Sequence, residues 1–287
     1  MPNFSEGRDD AVIAELARAA ASVPGAALLD KTSDADHNRT VLTIAGRPDA
    51  VAEAALAAVR VAVARIDLTR HTGVHPRLGA ADVIPFVPVR GITLEHCAEL
   101  ARGFGQRLWD ELRVPVCLYE AAARRPECAR LENVRKLAAA GSLAPDIGNA
   151  RHPSAGASVV GARKFLVAWN INLESRDLAA AREIARAIRE SSGGLPAVKA
   201  LGFALESRGE VQVSINLVDF EKTPLHVVFH AVERECRGRG IGVAGSELIG
   251  MIPAAALRAS DGHDLRWLNL RPDLVLENRL ASLHTPA

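Results

Sequence analysis

The chain has 287 residues and only four cysteines, at positions 97, 117, 128 and 236, and no two of them form a CxxC pair. That scatter excludes a disulfide framework and a structural zinc ribbon, and it predicts reduced thiols in a cytoplasmic protein. No apolar run reaches the roughly 18 residues of a membrane-spanning helix, so no membrane span is expected. Residues 1–8 lack a basic stretch followed by an apolar one, so no secretory signal is expected either. Charge of one sign is also missing: Lys plus Arg is 35, Asp plus Glu is 34, and the net charge is +1. A dedicated nucleic-acid binder carries a clear basic excess, so none is expected. Lysine itself is scarce, at Lys31, Lys136, Lys164, Lys199 and Lys222, and arginine supplies the remaining cations. Arginine is the better fork for carboxylates, although GC-rich codon usage produces the same imbalance. The loop at Gly141–Gly161 holds no GxxxxGKS and no GxGxxG, hence no support there for nucleotide phosphates. There is also no GxSxG elbow and no HExxH metal pair.

The composition, 48% apolar and 24% charged, is that of an ordinary globular chain long enough for about two domains. The second half is the easier to read. A strand over Phe165–Leu173 precedes a helix over Asp177–Glu190, striped by Leu178, Ala181, Ile184 and Ile188. Val198–Glu206 and Val211–Asp219 form a hairpin across Ser207-Arg208-Gly209. Thr223 as N-cap and Pro224 as first helical residue start a second helix, and Ile241–Ile249 is the last strand. Strand, helix, strand, strand, helix, strand is a split βαβ unit. The first half repeats the theme: helix Asp9–Ala21, strands Ala26–Asp30 and Arg39–Gly46, and helix Pro48–Ile66. The strand Val83–Val89, helix Leu94–Leu112 and strand Val114–Tyr119 follow. Pro85 and Pro88 predict that the strand Val83–Val89 lies near a sheet edge. Gly141–Gly161, rich in Gly, Pro, Ser and Ala, reads as a long loop, functional or linking. The fold class is therefore α+β, with subdomains at 1–162 and 163–287.

Three polar groupings carry candidate chemistry. On Val211–Leu217, Gln212, Ser214 and Asn216 alternate with apolar residues, and Asn170 and Asn172 repeat the pattern on the preceding strand. Amides without long charges point to the wall of a ligand cleft. The densest polar stretch runs from His71 to Asp82 and contains His75, Arg77 and Asp82 in a loop stiffened by Gly73 and Pro76. A histidine here works as acid or base near neutral pH. Asp82 or Arg77 is placed to orient or tune it. His71 and His75 have zinc-pair spacing only on a helix, which Gly73 and Pro76 oppose, so no metal is expected. The third grouping is Asp34 to Thr40, where Arg39 is a carboxylate clamp and Asp34 or Asp36 holds an amine; an Asx turn is the plainer alternative.

Together these segments resemble a known family. Pro2-Asn3-Phe4-Ser5-Glu6-Gly7, Asp36-His37-Asn38-Arg39-Thr40-Val41, His75-Pro76-Arg77-Leu78-Gly79-Ala80-Ala81-Asp82 and Gly161-Ala162-Arg163-Lys164-Phe165-Leu166 are similar to the glutamate formimidoyltransferases. So are Asn170-Ile171-Asn172-Leu173, Gln212-Val213-Ser214 and Gly245-Ser246-Glu247-Leu248. In animals this transferase is fused to a cyclodeaminase; the resemblance runs in order from Pro2 to about Ala255 and includes no cyclodeaminase. It implies two ferredoxin-like subdomains packed around a ligand tunnel, in a cytoplasmic homodimer. It implies transfer of a formimidoyl group between N-formimidoyl-L-glutamate and N5 of tetrahydrofolate, in histidine degradation, with tetrahydrofolate as co-substrate and no metal.

By the same resemblance His75 is catalytic and Asp82, Arg77, Arg39 and His37 support it. Folate is contacted by Gly148, Asn149, Ala150, Arg151, His152, Pro153, Ser154, Ala155 and Gly156, with a second contact at Ala187, Ile188 and Arg189. Arg163 joins Asn170, Asn172, Gln212, Ser214 and Asn216 in the cleft wall. A relative acting on N-formylglutamate or 5-formyltetrahydrofolate, or a non-catalytic folate binder, is the alternative. The chain departs from the family pattern in three places. Met1 directly precedes Pro2, so either the start of the chain lies too far downstream or the first strand is shortened, and the second case would expose a sheet edge. Ile147 and Asn149–Arg151 differ from the usual folate loop, and Arg124–Gly141 is short.

Overall fold

The computed structural model describes residues 1–35, 37–73, 77–149, 152–205 and 209–283. The chain forms two compact units, Met1–Arg163 and Lys164–Ala287, each α+β and each built on one sheet.

The first unit runs β1 (Asn3–Phe4), α1 (Asp10–Ala21), β2 (Ala26–Asp34), β3 (Arg39–Gly46), α2 (Pro48–Arg65), β4 (Ala81–Phe86), α3 (Leu94–Leu112), β5 (Val116–Glu120), α4 (Leu131–Ala139) and β6 (Ser158–Ala162). Local chemistry explains the helix starts. The Asp9 carboxylate accepts from the amides of Ala11 and Val12, and Thr93 Oγ1 accepts from His96 N, each relieving orphan donors of a first turn. Sheet order is β2-β3-β1-β4-β6-β5. Its first four strands are the antiparallel split βαβ arrangement; β6 and β5 extend it in parallel. The main core packs Phe4, Leu16, Leu42, Leu56, Phe104 and Leu108, with Phe86 edge-to-face on Phe104 at 5.3 Å. A smaller cluster of Val83, Cys117, Tyr119, Cys128, Val134 and Val159 brings α4 into the unit.

Three expectations are corrected here. The strand with Pro85 is internal and wholly buried, between β1 and β6, and not at an edge. The carbonyls of Val83 and Pro85 point toward β1, accepting from Asn3 Nδ2 (3.1 Å) and the Met1 amine (3.0 Å). The amide that Pro85 lacks would point the same way, so the β4–β6 ladder loses no donor. The two-residue β1 is likewise central, paired on both sides, so its shortness exposes no outer edge. Finally, β6 lies inside the stretch that reads as loop. Its five small or apolar residues are all buried, and a Cβ on Gly161 would stand 2.3 Å from the Tyr119 carbonyl of β5. The glycine that disguises the strand is what lets the two strands meet.

The second unit runs β7 (Val167–Glu174), α5 (Leu178–Ile188), β8 (Val198–Leu205), β9 (Glu210–Leu217), α6 (Leu225–Arg237), β10 (Gly242–Ile249), α7 (Ala254–Arg258) and α8 (Leu276–Ser282). Its order β10-β7-β9-β8 is antiparallel throughout, the ferredoxin-like arrangement. One face buries Trp169, Ile171, Leu173, Val211, Val213, Ile215 and Leu217, along with Ile184 and Ile188 of α5 and Val228, Phe229 and Val232 of α6. Trp169 stacks on Phe229 at 6.1 Å. Thr223 does not cap α6: Pro224 takes the N-cap position, and Thr223 Oγ1 donates to the Pro196 carbonyl at 2.6 Å. After α7 the chain returns along β10, where Ser246 N donates to Arg266 O and Leu268 N to Ser246 O. All four cysteines are buried and unbridged, and burial pushes the Cys117 thiol up to about 12. Among the described residues no helix is long and apolar enough to cross a membrane.

Candidate active site

The first unit gathers most of the polar residues singled out above. Asp82, at the start of β4, is 1% exposed. Its Oδ2 lies 3.1 Å from Arg39 of β3 and 3.2 Å from Arg135 of α4, while Oδ1 accepts from Leu78 N at 2.8 Å. Arg39 reaches on to Asn3 Oδ1 at 2.7 Å, tying β1 into the cluster. Burial lowers the Arg39 pKa, Asp82 raises it, and the charges of Arg135 and Arg77 lower it again. Three guanidiniums thus press on one another around a single buried carboxylate. Such a field favours an anion. Arg135 was not singled out from sequence. Its only local sign is the apolar spacing of Leu131, Val134 and Leu137, which marks a short helix and says nothing of its destination.

Asn38 closes the neighbouring turn. It adopts positive φ (49°), is buried, accepts from Gly7 N at 2.8 Å and donates to Thr72 O at 2.9 Å. His37 is exposed and pairs with Asp34 at 3.1 Å, and its carbonyl accepts from Arg77 at 3.4 Å. A Cβ on Gly73 would approach Arg77, the Asn38 side chain and the His37 carbonyl to 3.0 Å or less. The two residues that flank segment 74–76 therefore both lie against the His37–Asn38 turn. His75 itself falls outside the described residues, as do Asp36, Ala150 and Arg151.

The second loop is stapled to the first. Ala80 N donates to Ala155 O (2.8 Å), Ala157 N to Leu78 O (2.9 Å) and Leu68 N to Ser154 O (2.8 Å). His152 Nδ1 accepts from Ala155 N at 2.9 Å, shaping the turn from within. Gly148 (φ 85°) seats against the Trp109 ring, where a Cβ would come within 2.5 Å. Asn149 is exposed, and Pro153 and Ser154 follow His152 in the turn. At Gly156, φ is 68° and a Cβ would stand 2.2 Å from the Leu78 carbonyl. Gly156→Ala is accordingly expected to lower unfolding stability by more than about 1 kcal/mol, read as a shifted urea midpoint. An unchanged midpoint would mean that this stapling is dispensable.

In the second unit the open sheet face is laid out by register. Asn172 lies opposite Gln212, Asn170 opposite Ser214, and Ala168 opposite Asn216. The expected absence of long charges does not hold at the flanks, where Lys199 sits opposite Asn216 and Glu247 opposite Asn170. Sequence alternation shows one strand's faces, not which neighbours share them. Asn172 is buried; its Nδ2 donates to Glu247 Oε1 at 3.1 Å and its Oδ1 has no partner among the described residues. Arg163 belongs to the first unit, where it donates to the Tyr119 hydroxyl. Ile188 cannot offer its side chain to a ligand: it is 2% exposed in the core, and its carbonyl accepts from Leu195 N. Ala187 is exposed beside it, and Arg189 bonds Ser192 Oγ at 2.7 Å.

Known proteins match both units. The family described as formiminotransferase domain, N-terminal subdomain, matches residues 1–163, and the one described as formiminotransferase domain matches residues 168–269. The chain is 46% identical over 266 residues to the glutamate formimidoyltransferase of Streptococcus pyogenes serotype M1, covering 90% of this chain and 89% of the relative. It is 40% identical to that of Thermoplasma acidophilum, covering 90% and 88%. It is 48% identical over 273 residues to the formimidoyltransferase-cyclodeaminase of Sus scrofa, covering 90% of this chain and half the length of that relative.

Proposed function

The chain belongs to the formiminotransferase family, and on that premise we propose that it acts as a glutamate formimidoyltransferase. The near end-to-end match to two proteins of that name carries the reading. The reaction passes a formimidoyl group between N-formimidoyl-L-glutamate and N5 of tetrahydrofolate, which enters as co-substrate; the proposal involves no metal. N5 attacks the amidine carbon and loses its proton, while the glutamate nitrogen must gain one to leave. One histidine serves both transfers, taking the first proton and returning it to the leaving amine, and His75 is that residue. Holding two anionic reactants in contact is the remaining task. The guanidiniums of Arg39, Arg77 and Arg135 support it by their field, and Asp82 supports it by fixing Leu78, three residues beyond His75. In the first unit the stretch 148–156, stapled to residues 78–80, contacts folate; in the second unit Ala187 and Arg189 are a separate folate contact. The enzyme works as a homodimer in the cytoplasm.

A spectrophotometric assay with tetrahydrofolate and either N-formimidoyl- or N-formyl-L-glutamate tests the reading. Turnover is expected with the formimidoyl donor, at least about tenfold faster than with the formyl donor, since an amidine nitrogen donates where a formyl oxygen only accepts. Equal or faster turnover of the formyl donor would reassign the substrate. Turnover of neither, without folate binding, would reject the enzyme.

A further inference from the structure

A group of histidines lies in the second unit, outside every residue used above. α6 carries His226, His230 and Glu233 at helical spacing, and His263 comes from the turn after α7. His230 Nδ1 lies 3.0 Å from Glu233 Oε2, and His230 Nε2 lies 3.1 Å from His263 Nδ1. Glu233 is itself held, Oε1 accepting from Arg266 at 3.2 Å. The His226 ring stacks flat on His263, centroids 4.1 Å apart and planes 5° apart. His226 is anchored by Ser260 Oγ, 3.3 Å from Nδ1, and by a hydrogen bond to the Ala259 carbonyl. His226 is therefore a wall rather than a ligand. That agrees with the finding that no three His, Cys, Asp or Glu side chains converge on one metal position among the described residues.

The geometry points to a two-histidine site for a borderline transition-metal ion such as Zn²⁺, built by His230 and His263 with Glu233 as the carboxylate behind it. A carboxylate only accepts, so Glu233 holds the proton on Nδ1 of His230 and leaves the Nε2 lone pair facing His263. A carboxylate behind a ligating histidine fixes its tautomer and raises its basicity. The 3.1 Å gap between the nitrogens is the separation of two ligands at about 100° around a metal with bonds near 2.05 Å. On binding, the His263 proton moves from Nδ1 to Nε2 of the same ring, so no net proton is lost from the neutral pair. His230 and His263 are both exposed, which leaves the remaining coordination positions to water. Imidazole nitrogens select zinc, copper or nickel over magnesium, which prefers oxygen.

Titration calorimetry of the full chain with ZnCl₂ and, separately, MgCl₂ tests the site. One zinc per chain is expected, with no saturable magnesium heat. His263→Ala and His230→Ala should each remove that zinc, and Glu233→Gln should weaken it 10- to 100-fold, with thermal midpoints recorded to show that each variant is folded. Zinc binding that persists in a folded His263→Ala or His230→Ala chain, or no stoichiometric zinc in the parent, would overturn the site. Loss in the histidine variants with an unchanged affinity in Glu233→Gln would overturn the role of Glu233.

Discussion

Replacing His75 by alanine is expected to lower formimidoyl transfer by about 10²- to 10⁴-fold, the range for losing a positioned general acid–base. The imidazole carries both proton movements, so no other residue in the proposed cycle substitutes for it. Folate affinity should stay within a few-fold of the parent, because binding rests on the turn at 148–156 and on the arginine field. The two readouts together make the test sharp. Steady-state assay gives kcat, and calorimetry with 5-formyltetrahydrofolate gives binding. Turnover within tenfold of the parent would remove His75 from its assigned role. Lost turnover accompanied by lost folate binding would make it a binding residue instead.

Asp82→Ala should produce the largest stability change. The Asp82 carboxylate is buried, and its Oδ2 is shared between Arg39 and Arg135 while Oδ1 holds the Leu78 amide. Removing one partner from a buried charge pair costs about 3–5 kcal/mol, since the other charge stays behind without compensation. Here two guanidiniums stay behind and repel. The urea midpoint should fall accordingly, and a marginal domain stability of about 5–15 kcal/mol makes the fall easy to see. Asp82→Asn keeps the shape and an acceptor for Leu78 N but removes the charge, so it should recover part of the stability. It should recover less of the activity, because the field around Arg39 and Arg77 changes sign balance. An unchanged midpoint in Asp82→Ala would show that the cluster does not hold β3, β4 and α4 together.

Much of the second unit was readable because its signals are local. Val211–Leu217 alternates at a period of two, and the Asp177 side chain accepts from the Ala179 and Ala180 amides, as a helix cap should. Less of the first unit was readable. β6 is five residues without a visible period, in a segment whose composition says loop. Pro85 argues for an edge until the direction of its missing amide is known, and that direction follows from the β1 pairing. Arg135 carries no sign of its destination in its own neighbourhood, because Asp82 lies 53 residues away along the chain.

The family, the α+β class and the split βαβ order of the second half could be read from sequence alone, since those rest on local periods, caps and ordered motifs. The tertiary structure alone decided that Asp82 is shared by two arginines. It also decided that residues 78–80 are stapled to residues 155–157 and that Ile188 is core. The physical reason is that hydrogen bonds and charge pairs between distant segments depend on register and close approach. Gly156 against the Leu78 carbonyl and Gly161 against the Tyr119 carbonyl are such approaches, and no local pattern encodes them.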